Sequence, residues 1–251
     1  MFKIKPLQGG VVSTPGTSTS MNLADTRWLT CLWMLCKAFV LGLASLVVLV
    51  TGPLAAADWD KLQSLTQQRY GTSSATTVTA WRKMVEESRA LPDIEKLTKV
   101  NTFFNRHMLY DTDAVVWQLE DYWATPVEFM GRGSGDCEDF AIAKYITLRL
   151  LGVSDPSLRL IYVRAKTGAT TSVAHMVLGF YPEPSQQPMI LDNLITSVRL
   201  ASQRPDLSPV FSFNSSGLWA GGATSSLADP TTRLSRWRDV LERMHQDGLT
   251  P

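Results

Sequence analysis

Apolar residues recur at intervals of three and four in the part of the chain that follows residue 57. This spacing predicts three amphipathic helices, in the segments DWDKLQSLTQQRY (58–70), TTVTAWRKMVEESRAL (76–91) and LPDIEKLTKVNTFFNRHM (91–108). Thr77 or Thr79 is predicted to cap the second helix. The third helix is predicted to begin near Pro92 and to place four residues in the core: Ile94, Leu97, Phe103 and Phe104.

A broader apolar stripe begins after Cys137. Ile142, Ile146 and Leu150 recur at four-residue spacing, which predicts a largely buried helix. Gly152 is predicted to end this helix. Residues 111–135, which precede it, show no clear period and finish in the glycine-rich stretch GRGSG, so they are predicted to be irregular.

The period then changes to that of short strands. Runs rich in Val, Ile, Leu, Tyr and Phe are separated by Gly, Ser, Thr and Pro, and they comprise LRLIYVRA (158–165), VAHMVLGFY (173–181), PMILDNL (188–194) and PVFSFNSSGLW (209–219). A final amphipathic helix is predicted over residues 231–248. Helices followed by strands indicate an α+β fold, with a helix packed on an antiparallel sheet.

The N-terminal 57 residues differ from the rest. Residues 1–27 are rich in Gly, Ser and Thr and are predicted to be disordered. Lys37 then precedes an apolar run, 38–50, and three alanines end at Ala57, which is the pattern of a secretory signal peptide cleaved after Ala57. A retained membrane anchor is the alternative. We therefore expect an exported protein with a leader at 1–57 and one domain at 58–251.

Charge and cysteine content narrow the class of protein. The formal net charge of +1 argues against a nucleic-acid-binding protein. If the leader is removed, Cys31 and Cys36 leave with it, and Cys137 is the one cysteine that remains. A lone cysteine in an exported protein is a reactive thiol, a partner in an intermolecular disulfide or a small buried apolar residue.

The first of these possibilities gains support from the predicted position of Cys137 in the first turn of a helix. Unpaired backbone N–H groups and the positive end of the helix dipole favour a thiolate there.

A nucleophilic thiol also needs a base. His107 and His245 lie in polar helical segments, whereas His175 lies in an alternating strand. If the next strand pairs antiparallel with it, Asp192 lies beside His175 and orients it. The alternatives are a structural histidine and a turn aspartate before Asn193.

Three acids surround the cysteine. Asp136, Glu138 and Asp139 offer hard oxygen ligands of the kind that Ca²⁺ prefers, and bound calcium would neutralise their charge near Cys137. The alternative is that Asp136 caps the helix while Glu138 and Asp139 favour its dipole. Asp111 and Asp113 could complete a calcium site, but nothing in the sequence places them there.

Three segments together resemble a known family. DYWATPVEFMGRGSGDCEDFAIAKYITLRLLG (121–152), AHMVL (174–178) and LDN (191–193) closely resemble the bacterial transglutaminase-like cysteine proteinases of the LapG family, and the similarity covers roughly residues 58–245. The resemblance implies a papain/transglutaminase-like fold and a periplasmic endopeptidase with Cys137 as nucleophile, His175 as general base and acid, and Asp192 as orienting carboxylate. It also implies that Asp136, Glu138 and Asp139 bind calcium. Trp123 matches a tryptophan that the family has upstream of its cysteine.

The resemblance further implies a substrate and a regulator. Family members cleave a large surface adhesin near its N-terminus, after a pair of alanines, and this release promotes biofilm dispersal. An inner-membrane cyclic-di-GMP receptor sequesters the protease through its periplasmic domain. The alternatives are a transglutaminase or a peptidoglycan peptidase on the same fold, and a non-catalytic calcium-binding interaction module.

Overall fold

The three predicted N-terminal helices form, with shifted boundaries. The structure is a computed structural model that describes residues 55–183, 185–221, 223 and 225–250. Helices α1, α2 and α3 span Trp59–Tyr70, Thr72–Ser88 and Asp93–His107. Helix α2 begins at Thr72 and not at a cap at Thr77 or Thr79, because Gly71 alone separates it from α1. Gly71 has a φ of 89°, a backbone conformation that favours glycine.

The buried face of α3 begins one turn later than predicted. Leu97, Phe103 and Phe104 lie in the core as expected, but Ile94 is 48% exposed. Ile94 lies in the first turn of the helix, ahead of the part whose side chains are buried. The prediction for Ile94 was therefore wrong, while the periodic pattern from Leu97 onward was correct.

The segment predicted to be irregular contains short regular elements. Strand β2 (Leu109–Tyr110) pairs in parallel with β3 (Ser134–Gly135), and helices α4 (Asp113–Val116) and α5 (Pro126–Arg132) lie between them. Helix α5 starts at a reciprocal capping box between Thr125 and Glu128. These elements are too short to show an apolar period, so caps and tight turns define them.

The central helix α6 spans Cys137–Leu150 and is buried along most of its length. Leu151 follows its last residue, and Gly152, with a φ of 82°, ends the helical path as predicted. Its Thr147 hydroxyl accepts a hydrogen bond from Trp81 Nε1 at 2.9 Å, which joins α6 to α2. Helices α3 and α5 pack against α6, whereas α1 and α2 pack on each other and on α5.

An antiparallel sheet of six strands confirms the predicted α+β class. The strand order is β7-β6-β5-β4-β8-β9, with bounds Leu158–Lys166 (β4), Ser172–Phe180 (β5), Met189–Leu191 (β6), Arg199–Leu200 (β7), Leu207–Phe213 (β8) and Leu218–Ala220 (β9). Short 3₁₀ turns at Asp155–Ser157 and Ala201–Gln203 precede β4 and follow β7. The predicted strand over 209–219 is a hairpin of β8 and β9.

The two faces of the sheet bury different clusters. Helix α6 packs on β5, and Met176 and Leu178 of that strand belong to the large core that contains the helix. The alternate residues of β5 and its neighbours form a smaller cluster of Ile161, Val163, Val177 and Ile190. Because successive strand residues point to opposite faces, this smaller cluster lies on the face away from α6.

The two ends of the described chain meet. Helices α7 (Pro230–Arg233) and α8 (Ser235–Asp247) precede strand β10 (Leu249–Thr250), which pairs antiparallel with β1 (Ala56–Ala57). Within the described residues, the first strand thus lies just ahead of the predicted domain boundary at 58. Residues 1–54 of the predicted leader (1–57), with Cys31 and Cys36, lie outside the described residues, and the cleavage of the leader stays a prediction. Within the described ranges, no helix combines the length and apolar character that a membrane span needs.

The bond between Trp81 and Thr147 gives a test of the core. Thr147→Val keeps the side-chain shape but leaves the buried Trp81 N–H without its acceptor, so we expect a loss of about 1–3 kcal/mol in the free energy of unfolding. Thr98→Val, in an exposed part of α3, is the matched control and should change it little. Urea unfolding measures both, and equal effects of the two substitutions would contradict this account of the core.

Candidate active site

Cys137 is the first residue of α6, as the sequence predicts. Asp136 precedes the helix, and its backbone N–H donates to Asp139 Oδ2 at 3.3 Å. The other oxygen of Asp139 accepts from the Ala124 N–H at 2.8 Å. Gly135 is required behind this carboxylate, because a Cβ at that position would lie 2.2 Å from Asp139 Oδ2. The cysteine is thus held by a buried acid that ties the helix start to the preceding loop.

The thiol of Cys137 lies among uncompensated carboxylates. Its Sγ donates a hydrogen bond to Glu138 Oε2 at 3.0 Å. Burial raises the pKa of the thiol, and the charges of Glu138 and Asp136 raise it further. The backbone N–H of Met176 acts in the opposite direction and favours the thiolate. The helix start alone therefore does not lower the pKa of this thiol. Positive charge placed near the acids would favour the thiolate.

His175 and Asp192 form a buried pair. His175 Nε2 lies 2.8 Å from Asp192 Oδ1, and the side chains are 4% and 0% exposed. Burial by itself would raise the pKa of Asp192, but its contacts with His175, the Leu194 N–H and Arg204 outweigh burial and lower that pKa to about 2. Asp192 is thus a carboxylate that holds one ring nitrogen of His175 and leaves the other, Nδ1, for a second partner.

The thiol and the imidazole lie on neighbouring elements without a direct bond. Cys137 lies near the backbone of Met176, the residue next to His175 on β5. Among the described residues, the hydrogen bond of the thiol is to Glu138, and none joins Cys137 to His175. The structure therefore brings His175 and Asp192 together and places Cys137 beside the Met176 backbone of β5. By alternation, His175 shares the face of Val177 and of its cross-strand partner Val163.

The other two histidines lie on the surface. The His107 ring stacks on Phe103 and its Nδ1 contacts the Phe103 carbonyl, and His245 is exposed on α8. Trp123, the aromatic residue singled out in the sequence, stacks on Phe213 at 5.7 Å between ring centroids. Its carbonyl accepts a hydrogen bond from Arg243 Nη2 at 2.6 Å, so α8 holds the loop that carries it.

Three contacts of Asp192 escaped prediction. Arg204 Nη2 lies 2.7 Å from Asp192 Oδ2, Asn105 Nδ2 donates to the Asp192 carbonyl at 2.8 Å, and the Leu194 N–H donates to Oδ1 at 3.1 Å. Asn105 lies on α3 and Arg204 lies between the 3₁₀ turn and β8. Neither has a motif or a spacing that links it to Asp192 in the sequence, so only the tertiary structure reveals them.

Two further acids, Asp113 and Asp121 of the preceding segment, lie close to the acids around Cys137. Three sets each place their potential ligand atoms within 4.8 Å of one another: Asp136 with Cys137 and Glu138, Asp113 with Asp121 and Glu138, and Asp113 with Asp136 and Asp139. Asp113 was considered in the sequence and Asp121 was missed. Asp111 instead accepts from the Thr112 N–H and is absent from these sets.

This acidic cluster has the donors that a calcium ion requires. Burial is the largest cause that raises the pKa of each of four carboxyl groups, Asp113, Asp136, Glu138 and Asp139. Asp136 Oδ1 and Asp113 Oδ1 are buried and have no hydrogen-bond partner among the described residues. Clustered hard oxygens with unused acceptors fit Ca²⁺, and the cluster fits it better with Asp113 and Asp121 than with the three predicted acids alone.

The comparisons with known proteins place the chain in a class. The family model of bacterial transglutaminase-like cysteine proteinases (BTLCP) matches residues 68–206, and this chain belongs to that family. Its fold is accordingly transglutaminase-like and its class is cysteine proteinase, as the sequence resemblance indicated. No curated protein sequence matches the chain significantly.

Solved structures of one relative agree with this. LapG from Legionella pneumophila, in an EGTA-treated form, is 42% identical, with a TM-score of 0.66 over 75% of this chain and 100% of that chain. The calcium-bound form of the same protein is 42% identical, with a TM-score of 0.63 over 74% of this chain and 98% of that one. The relative thus has a calcium-bound structure.

The raised pKa values predict how stability depends on pH in calcium-free protein. Because the folded state holds protons on these acids that the unfolded state has released, the free energy of unfolding should fall as pH rises from 5 to 7 in EGTA. Burial lowers the pKa of Lys144 to about 7. Above pH 7 the unfolded state therefore holds a proton that folded Lys144 has lost, and this residue makes the free energy of unfolding rise with pH. Urea unfolding at each pH measures the slope.

The matched variant for this measurement is Asp136→Asn, which removes one of the four titrating carboxyls. We expect the slope between pH 5 and 7 to become shallower in the variant. A free energy of unfolding that rises with pH over this range in the unsubstituted protein would contradict the assignment of protons to the folded cluster.

Proposed function

We propose that the protein is a calcium-dependent cysteine endopeptidase of the periplasm with Cys137, His175 and Asp192 as its triad. The observation that carries this is the buried His175–Asp192 pair, whose histidine lies on β5, the strand against which the Cys137 helix packs. A buried imidazole with one nitrogen held by a carboxylate has the arrangement of a general base oriented for one acceptor. Membership of a cysteine proteinase family supports this assignment.

In the proposed reaction, His175 Nδ1 takes the proton of the Cys137 thiol, and the sulfur attacks a peptide carbonyl carbon. The Cys137 backbone N–H, at the first position of the helix, donates to the oxygen that gains negative charge. Collapse of the tetrahedral intermediate breaks the C–N bond, and His175 returns the proton to the leaving amine. Water, deprotonated by His175, then hydrolyses the thioester and releases the thiol. Throughout, Asp192 keeps the imidazole oriented and stabilises its protonated form.

Calcium is proposed to bind in the acidic cluster. Asp136 and Glu138, with Asp113 and Asp121 from the preceding segment, are the residues that would hold it, and Asp139 would contribute while it ties the helix start to Ala124. Bound calcium supplies positive charge that offsets the carboxylates around the thiol. The calcium-bound form of the Legionella relative supports this proposal.

The substrate and regulator are proposed from the same resemblance. We propose that the enzyme cleaves the N-terminal region of a large surface adhesin after two alanines, which releases the adhesin and promotes biofilm dispersal. We also propose that the periplasmic domain of an inner-membrane cyclic-di-GMP receptor sequesters it. The support is the 42% identity to LapG over the whole of that chain and the predicted signal peptide. Small alanines imply a narrow cleft beside Cys137.

A non-catalytic calcium-binding module is the second candidate. The hydrogen bond of the thiol to Glu138 and the raised pKa of Cys137 favour it, because both describe an inactive thiol. Alkylation of Cys137 by iodoacetamide separates the two functions. A catalytic thiol reacts in the folded, calcium-loaded protein, whereas the module leaves Cys137 unmodified.

The triad is tested by incubating the protein with the N-terminal part of a candidate adhesin. We expect cleavage after the two alanines, and a loss of at least about 1,000-fold in rate for Cys137→Ala and for His175→Ala, since members of a triad act as a unit. His245→Ala, at an exposed histidine, is the matched control and should cleave normally. Mass spectrometry of the fragments measures the outcome.

The same experiment addresses the other acyl transfers on this fold. A free carboxyl at the new C-terminus indicates hydrolysis, whereas incorporation of an added amine indicates a transglutaminase. Cleavage of peptidoglycan peptides, with the adhesin fragment left intact, would indicate a peptidoglycan peptidase. If Cys137→Ala still cleaves the fragment, the nucleophile has been assigned to the wrong residue.

Calcium binding is tested by calorimetric titration at pH 7. Because the acids of the cluster hold protons when calcium is absent, binding should release protons, and the measured enthalpy should therefore vary with the ionisation enthalpy of the buffer. We expect Asp136→Ala to weaken binding by at least about tenfold. Asp111→Ala, at a neighbouring acid outside the cluster, is the control. A titration unchanged by Asp136→Ala would remove Asp136 from the site, and addition of EGTA should stop cleavage in the unsubstituted protein.

A further inference from the structure

Arg204 is a buried arginine that two acids share. It is 3% exposed. Its Nη2 lies 2.7 Å from Asp192 Oδ2 and 2.8 Å from Asp206 Oδ2, and its Nε donates to Asp206 Oδ1 at 3.0 Å. Asp206 therefore holds two nitrogens of the guanidinium group, and the same group contacts the acid of the His175 pair.

The backbone of Arg204 is fixed on both sides. Its N–H donates to the Ala201 carbonyl at 2.9 Å, and its own carbonyl accepts from the Leu207 N–H at 3.1 Å. Leu207 is the first residue of β8. The guanidinium group thus starts from a rigid point at the end of a strand, and Asp206, two residues further on, sets the plane of the group.

The two oxygens of Asp192 have separate partners. Oδ1 accepts from the Leu194 N–H and faces His175 Nε2, whereas Oδ2 faces Arg204. The contact of Oδ2 with Arg204 is a close ion pair at 2.7 Å whose angles do not make a hydrogen bond among the described residues. Because a carboxylate is planar, the attraction of Oδ2 to the buried guanidinium group restrains the direction in which Oδ1 points. Lys144 is a second cation that acts on Asp192, but among the described residues no contact within ion-pair distance joins its Nζ to that carboxylate, in contrast to the 2.7 Å contact of Arg204.

Arg204 approaches from the face of the sheet opposite the nucleophile. It lines a cavity of about 390 Å³ together with Ile161, Val163 and Val177 of the smaller cluster. Helix α6, which carries Cys137, covers the other face. The support of the acid is therefore independent of the packing that places the cysteine and of the acidic cluster around it.

We propose that Arg204 is a positioning residue of the proteinase, which fixes the Asp192 carboxylate so that it orients His175 for the thiol of Cys137. This inference rests on the proposed function, and it adds Asp206 as the group that orients Arg204. Arg204 touches neither the substrate nor the reacting atoms. Its effect should therefore appear in the chemical step and in the state of the His175 ring, and not in substrate affinity.

Kinetics of the purified, calcium-loaded protein on the adhesin fragment provide the first measurement. With rates normalised to the fraction of thiol that an active-site label titrates, we expect Arg204→Met to lower kcat about 10- to 100-fold with KM unchanged, since a misplaced catalytic group costs on this order. Arg204→Lys should restore only part of the rate, because an ammonium group cannot engage both acids through a planar fork. Arg199→Met is the matched control, at an exposed arginine of β7, and should leave kcat unchanged.

Nuclear magnetic resonance of protein labelled with ¹⁵N-histidine provides the second measurement, which needs no activity. The Nε2–H proton of His175 should give a downfield signal that is absent in His175→Gln. It should shift upfield or broaden by exchange in Arg204→Met and remain in Arg199→Met. If Arg204→Met does not fold, Asp206→Asn replaces it, with smaller changes expected in the same directions.

The outcomes separate the two proposals. If the unsubstituted protein does not cleave the fragment, the proposed function fails, but the His175 signal still reports whether Arg204 holds the pair. If Arg204→Met lowers thermal stability while the kcat of each titrated site and the His175 signal stay unchanged, Arg204 only neutralises a buried charge, and the positioning role is overturned.

Discussion

The structure depends on keeping one carboxylate ionised where water cannot reach it. Asp192 is buried, and burial alone favours its protonated form. His175, the Leu194 N–H and Arg204 together reverse that preference. Breaking such a pair leaves an uncompensated buried charge, so β5, β6 and the start of β8 must meet at one point. The sheet order, with β6 and β4 on either side of β5, makes this meeting possible.

The acids around Cys137 present the opposite situation. Asp113, Asp136, Glu138 and Asp139 are held close together with no nearby cation among the described side chains that bonds to them, and burial raises their pKa values. The same field acts against a thiolate at Cys137. One half of the site therefore carries its own compensating charges, whereas these four acids of the other half have no ion pair among the described residues, and Arg236 pairs with Asp121 beside them.

The sequence alone predicted the helices and strands whose apolar residues recur at a regular spacing. Helix α6 and strands β4 and β5 follow from spacing, and the His175–Asp192 contact follows from pairing two adjacent strands. The start of α2 was misplaced, because Gly71 is a junction of one residue, and Ile94 of α3 was wrongly placed in the core, because it lies ahead of the packed face. Arg204, Asn105 and Asp121 are single polar residues in loops or on a helix. Arg204 and Asn105 lie 12 and 87 positions from Asp192 along the chain, and Asp121 lies 17 positions from Glu138. No local pattern can indicate contacts of this kind.

The contacts of the two Asp192 oxygens, with His175 and with Arg204, also determine which residue types this position accepts. An asparagine there would have one oxygen and one amide nitrogen. If the amide oxygen accepted from the Nε2–H of His175, the NH₂ group would face Arg204, and two donors would meet there. If the amide were flipped, its NH₂ group would face the Nε2–H of the ring instead. The pocket is therefore chemically selective for an acid over its isosteric amide, and this selectivity is imposed by an arginine that never meets the substrate.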